Sequence, residues 1–210
     1  EEITLPHTIS EVSEWAFIGC SNLRTINIGC DLALIDNIAV EGIKNITLLE
    51  SATISSNTFL GYNSLMSFRG KYATKDGKCL IADGAIVAFL ATGITGYTIP
   101  EGTTEIRENT FTGSATLQSI SIPSRVTKIA ANAFDGCDNL AKFVVDEKNQ
   151  WFKTIDGNLY SKDGKTLIQY ARGKTATHFE IPSGVTSIGD YTFEECHSLT
   201  SIKIPSNVTS

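Results

Sequence analysis

At 210 residues, 41% of them hydrophobic, the chain carries enough apolar content to build a continuous core. Its net charge of −6 argues against a nucleic-acid or anionic-membrane partner, either of which needs a basic face. No apolar run approaches the length of a membrane span, so no direct membrane insertion is expected of this segment.

One apolar frame recurs along the chain. In the first copy, about 3–28, it reads Val12, Phe17, Leu23 and Ile26. A degenerate copy follows at about 29–49, with Ile35, Val40, Ile46 and Leu49; it is shorter and lacks the aromatic residue, which predicts a local kink. The third, about 50–69, holds Ile54, Phe59, Leu65 and Phe68. Beyond an interruption come Ile106, Phe111, Leu117 and Ile120 in 98–122, then Ile129, Phe134, Leu140 and Phe143 in 123–145. After a second interruption the last copy, 180–205, has Ile188, Phe193, Leu199 and Ile202. Pro100 to Pro123 and Pro182 to Pro205 both span 23 residues, and a fixed period of that size predicts a single solenoid domain.

Each position in the frame has a physical task. The segments Leu23–Ile28, Leu117–Ile122 and Leu199–Ile204 end in apolar–polar alternation, which predicts a short strand with one buried face. The same strand from every copy should stack in parallel into one ladder. Val126–Ile129 and Val185–Ile188 predict a second short extended piece, and Ala-Ala-Asn-Ala-Phe134 a turn or one-turn helix that drops its Phe inward. No copy can bury its apolar face alone; stacking makes the core.

The two interruptions, about 70–97 and 146–179, resemble each other. Gly77, Gly84 and Gly93 have the same spacing as Gly157, Gly164 and Gly173. Asp-Gly between short apolar runs is a hairpin signal, because glycine takes positive φ without steric cost. The reading is two inserted antiparallel β-meanders, with strands near 72–75, 78–81 and 85–90, and near 151–155, 158–161 and 165–170. Asp76, Asp83, Asp156 and Asp163 are then turn formers. Lys75, Lys78, Lys162 and Lys165 crowd the same turns and argue against a calcium loop.

The consensus I-P-x-x-V-T-x-I-x-x-x-A/T-F-x-x-C-x-x-L-x-x-I-x-I-P resembles the BspA-like leucine-rich repeats of bacteria, the Treponema pallidum type, over residues 3–68, 98–145 and 180–210. The resemblance implies a mainly β repeat solenoid, a right-handed leucine-rich-repeat superhelix with a parallel β-ladder, in an exported protein. No leader precedes Glu1 and the chain stops within a copy at Ser210, as expected of a processed or excised segment.

No nucleophile elbow, phosphate loop or zinc helix motif is present, and no cofactor or metal ligand set is read from the sequence. Cys20, Cys137 and Cys196 each lie three residues after the repeat Phe, so they are expected to face the core as small hydrophobes; Cys30 and Cys79 have no matching phase. Trp15 is expected to cover the N-terminal end, and Trp151 to be partly exposed. What remains is surface. The outward ladder positions Thr25, Asn27, Arg69, Ser119, Ser121, Lys142, Ser201 and Lys203 form a candidate binding face. The expected role is non-enzymatic: a secreted or cell-surface adhesion module for an extracellular protein or glycan. The alternative is a spacer that presents other domains.

Overall fold

A computed structural model of the chain describes residues 1–13, 15–35, 42–55 and 65–210. These fall into two compact units, Glu1–Thr92 and Gly93–Ser210. Each is a β-solenoid in which short strands one coil apart pair in parallel and turns return the chain to the next coil.

In the first unit β1 (Glu2–Leu5), β2 (Thr25–Ile28), β3 (Asn45–Leu48) and β4 (Ser67–Gly70) make a parallel sheet in that order. Ile3, Ile26, Ile46 and Phe68 lie in one row, and Leu5, Ile28 and Leu48 in the next along the strands. The alternation places these residues on the inner face, where Ile26, Ile28, Ile46, Leu48 and Phe68 are buried with Leu23, Leu32, Ile43 and Leu65. Glu2 and Thr25 are partners 23 residues apart, whereas Thr25 and Asn45 are separated by 20. The ladder crosses this short copy without a register shift, so the missing residues are taken from outside the strands. Val40 and Phe59 of the repeat frame, and the side chain of Ile35, lie outside the described residues.

The first interruption forms an antiparallel hairpin, β5 (Cys79–Ala82) with β6 (Ala85–Phe89). Asp83 and Gly84 join them with φ of 52° and 78°, the doubly left-handed geometry that suits strand twist. The expected strand at 72–75 is reduced to a single bridge, Ala73 with Leu80. The cause is local: the Thr74 hydroxyl accepts the Cys79 N–H at 3.0 Å, so a side chain stands where a backbone partner would.

The second unit contains β7 (Gly96–Thr98), β8 (Glu105–Ile106), β9 (Ser119–Ile122), β10 (Lys128–Ile129) and β11 (Lys142–Val145). β7, β9 and β11 pair in parallel at 23-residue intervals. β8 and β10 pair likewise in a second column, which is the second extended piece of each copy. β12 (Phe152–Ile155), β13 (Asn158–Ser161) and β14 (Thr166–Gln169) form the second meander in full. β15 (His178–Glu180), β16 (Ser187–Ile188) and β17 (Ser201–Lys203) complete the unit, with β14 parallel to β16 and β15 parallel to β17.

One continuous ladder was expected; within the second unit it is divided. After β11 the neighbour is the meander, where the Phe143 N–H donates to the Gly157 carbonyl at 2.8 Å and the Val145 N–H to the Thr154 hydroxyl at 3.1 Å. The ladder resumes only with β15 and β17. Gly77 serves the first unit in the same way, accepting the Phe68 N–H at 2.8 Å. A Cβ on Gly77 would stand 2.9 Å from the Phe68 carbonyl oxygen, and one on Gly157 would stand 3.1 Å from the Lys142 Cβ. Close approach and positive φ together demand glycine at both places.

The repeat aromatics stack from coil to coil. Phe111 and Phe134 lie with centroids 5.3 Å apart, and Phe143 meets Phe134 edge-on at 5.1 Å. In the meander Tyr170 takes the aromatic place, 4.9 Å from Phe179 and 5.7 Å from Phe193.

Candidate binding face

The strands place the outward side chains in rows. In the first unit Glu2, Thr25, Asn45 and Ser67 form one row, and Thr4, Asn27, Thr47 and Arg69 the other. The structure thus aligns Thr25 with Ser67 and Asn27 with Arg69 through Asn45 and Thr47, which the sequence had not placed on this face. In the second unit Gly96, Ser119 and Lys142 share a row beside Thr98, Ser121 and Val144. Ser201 pairs with His178, and Lys203 with Glu180. Arg69, Lys142, Ser201 and Lys203 are exposed; Thr25, Asn27, Ser119 and Ser121 are half-buried.

Neighbours within a row bond to one another. Asn27 Nδ2 donates to Thr4 Oγ1 at 3.2 Å, Asn45 Nδ2 to Thr25 Oγ1 at 3.5 Å, and Ser67 Oγ to Asn45 Oδ1 at 2.7 Å. His178 Nδ1 lies 2.8 Å from Ser201 Oγ. Lys203 Nζ meets Glu180 Oε1 at 2.6 Å, and this cation holds the Glu180 carboxyl below its usual range. Lys128 and Glu105 form a comparable cross-strand pair in the second column, at 2.8 Å.

Arg172 and Asn149 are two of the buried polar residues that escaped the sequence reading. The Arg172 side chain is 2% exposed and lies between two repeat turns. Its Nη1 is 3.1 Å from Glu195 Oε2, and its Nη2 is 3.7 Å from Asp135 Oδ1 and 3.9 Å from Glu194 Oε2. Burial and the Glu194 carboxylate nevertheless push the Asp135 carboxyl upward. The available signal was acidic residues at the same repeat phase, just after Phe134 and Phe193. Asn149 is the other group: its Nδ2 donates to the Pro123 and Val126 carbonyls at 3.0 and 2.9 Å, and its Oδ1 accepts the Trp151 and Phe152 N–H groups at 2.8 Å each. It fastens the start of the second meander to the preceding coil.

The cysteine expectation needs correction. Cys137 is buried with its Sγ 3.1 Å from the Phe111 carbonyl, and burial pushes the thiol up to about 12. Cys196 is half-buried and raised to about 11 by the same cause. Cys20, at the same phase, is exposed, because among the described residues no earlier coil supplies the carbonyl and ring that cover Cys137. Cys30 and Cys79, which have no matching phase, are buried. Trp15 does not cover the end of the solenoid: it occupies an outward turn position and is 60% exposed. Trp151 is 48% exposed. Among the described residues, no group of three or more His, Cys, Asp or Glu could hold a metal ion, and no helix is long and apolar enough to cross a membrane.

A model of the BspA type leucine rich repeat region matches six copies, over residues 1–75, 86–166 and 169–210. The fold is similar to that of a leucine-rich repeat protein from Eubacterium ventriosum, with 22% identity over 98% of this chain and 54% of that one and a TM-score of 0.64. It is also similar to a leucine rich cell surface protein from Faecalibacterium prausnitzii, with 20% identity over 99% and 70% of the two chains and a TM-score of 0.53. The chain therefore spans about half the length of the Eubacterium protein. None of the curated proteins compared matches it in sequence. Repeat period, strand register and family match agree: the chain belongs to the BspA-type leucine-rich repeat family.

Proposed function

We propose that this chain is a secreted or cell-surface binding module that recognises an extracellular protein or glycan through its ladder face. The observation that carries the reading is the register, which sets Thr25 with Ser67 and Asn27 with Arg69 in rows on the parallel sheet of the first unit, and Ser119 with Lys142 in a row on that of the second. Leucine-rich-repeat solenoids are typically non-enzymatic scaffolds that bind proteins, and such rows give a partner an extended set of hydrogen-bonding groups. The surface location draws support from the family and from the description of the Faecalibacterium relative as a cell surface protein.

A second reading, a spacer that presents other domains, is favoured by one observation. Several ladder groups already bond to each other, as in Ser67 with Asn45 and Lys203 with Glu180, which leaves them less to offer a partner. A screen against matrix proteins and glycans separates the two. The binding reading expects a hit that weakens at least about tenfold in Arg69→Ala or Lys142→Ala with the melting temperature unchanged. A hit indifferent to both changes, or no hit at all, would favour the spacer.

A further inference from the structure

The turn of the first coil departs from those of the 98–122 and 123–145 coils. Two residues before the repeat Phe stand Asn109, Asn132 and Tyr191; one residue after it stand Thr112, Asp135 and Glu194. The first coil has Trp15 and Ile18 in these places, 60% and 67% exposed. The 98–122 and 123–145 coils make the same turn with polar residues at both positions, so the fold does not require this exchange. Leaving a large indole and a branched aliphatic chain in water costs hydration free energy that asparagine and threonine avoid.

Trp15 and Ile18 flank a hollow of about 480 Å³ whose walls also include Cys20, Ser21, Arg24 and Gly42. That volume lies within the range of ligand sites. Among the described residues lining it, the charged group is Arg24. Its guanidinium is tied down, since Nη1 donates to the Ser21 carbonyl at 2.6 Å and the Leu23 carbonyl at 3.0 Å. A fixed arginine loses little freedom when it meets a carboxylate, and its planar fork can hold both oxygens. Gly42, at φ 97°, brings the backbone so near that a Cβ there would stand 3.1 Å from Arg24 Nη1.

We infer that this hollow is a recognition site separate from the ladder face, taking an apolar side chain flanked by a carboxylate from an extended segment of a partner protein. Tryptophan and arginine are the residues most enriched among interface positions that dominate binding energy. The apolar walls fit an aliphatic or aromatic side chain, and Arg24 supplies charge complementarity at the rim. A saccharide would call for several converging polar side chains, whereas the lining offers Ser21 and Arg24.

Trp151→Phe leaves Trp15 as the sole tryptophan, so its fluorescence reads the hollow directly. Titration with N-acetyl-Gly-Glu-Leu-Gly-amide should shift its emission to shorter wavelength and saturate. Replacing the peptide's Glu by Lys, or making Arg24→Gln in the protein, should weaken binding about tenfold. Ile18→Thr, which installs the residue that Thr112 supplies at this position of the 98–122 turn, should abolish the response with an unchanged circular dichroism spectrum. Equal affinity for the Glu and Lys peptides, or no saturable shift up to about 10 mM, overturns the inference. A shift that grows with protein concentration alone, with a doubled mass in sedimentation, would assign the hollow to a second copy and also overturn it. Arg69→Ala should leave this titration unchanged, so failure of the ladder reading and failure of this one remain distinguishable.

Discussion

At the scale of single residues, position in the frame says what a side chain can be, and its neighbours say how much it matters. Phe111 is fully buried between coils, whereas Phe193 is only half-buried. Phe111→Ala is expected to lower stability by roughly 3–5 kcal/mol in denaturant titration, and Phe193→Ala by about half as much, in proportion to the apolar area each keeps from water. Equal costs would show that the stack does not end where burial says it does. The thiols give an independent ruler. Cys20 should react first with an alkylating agent, Cys196 more slowly, and Cys137 slowest of the three, because reactivity follows exposure and thiolate content. Mass spectrometry of peptides from timed aliquots reads that order directly. Sequence phase could not separate these cysteines: it fixes the direction of a side chain and is silent on whether another coil lies against it. Trp15 escaped for the same reason.

At the scale of elements, the two meanders use the same pair of turns in opposite order. Asp83-Gly84 and Asp156-Gly157 have both residues at positive φ. The other two turns are held by side chains: Asp76 accepts the Lys78 N–H and Asp163 the Lys165 N–H, each at 3.0 Å, with a hydroxyl from Thr74 or Ser161 alongside. The glycine spacing made both meanders legible; it could not show that the first would lose a strand where the Thr74 hydroxyl replaces a backbone acceptor. A pH test belongs here. The Lys165 N–H and the Ser161 hydroxyl hold the Asp163 carboxyl below its usual range. A depressed folded-state pKa contributes stability above the unfolded value, and that contribution fades as pH falls through the folded one. Asp163→Ala should therefore be less stable than the parent at pH 6, and the difference should shrink as the medium is acidified below the ordinary carboxylate range. A gap that stays constant with pH would mean the charge is irrelevant to the turn.

At the scale of the whole molecule, the repeat carried most of what could be read in advance. Four apolar positions in phase gave the strands, the second extended column and the buried Phe rows without any knowledge of partners. The groups that join one coil to the next stayed hidden. Arg172 and Asn149 act across layers, and their partners Glu195, Asp135, Pro123 and Val126 are distant in sequence. Because β7, β9 and β11 are related by 23 residues, removing residues 100–122 deletes one period and leaves Ile99 followed by Pro123, the same junction as Ile122-Pro123. That deletion is expected to keep the β-type circular dichroism spectrum and a cooperative, lower melt. Removing residues 100–111, about half a period, should destroy both, because it turns every later side chain out of phase. Similar behaviour of the two deletions would mean that the coils are not interchangeable modules.

The rows on the parallel sheets carry an evolutionary corollary. Successive members recur at one strand spacing, about 4.8 Å, so a row's extent is fixed by copy number rather than by any individual substitution. Duplicating one 23-residue segment of the gene adds a member to both rows and repeats interior contacts the chain already makes. Unequal crossing-over can therefore lengthen or shorten this surface in whole steps, and lineages can differ in reach while sharing one solved interior.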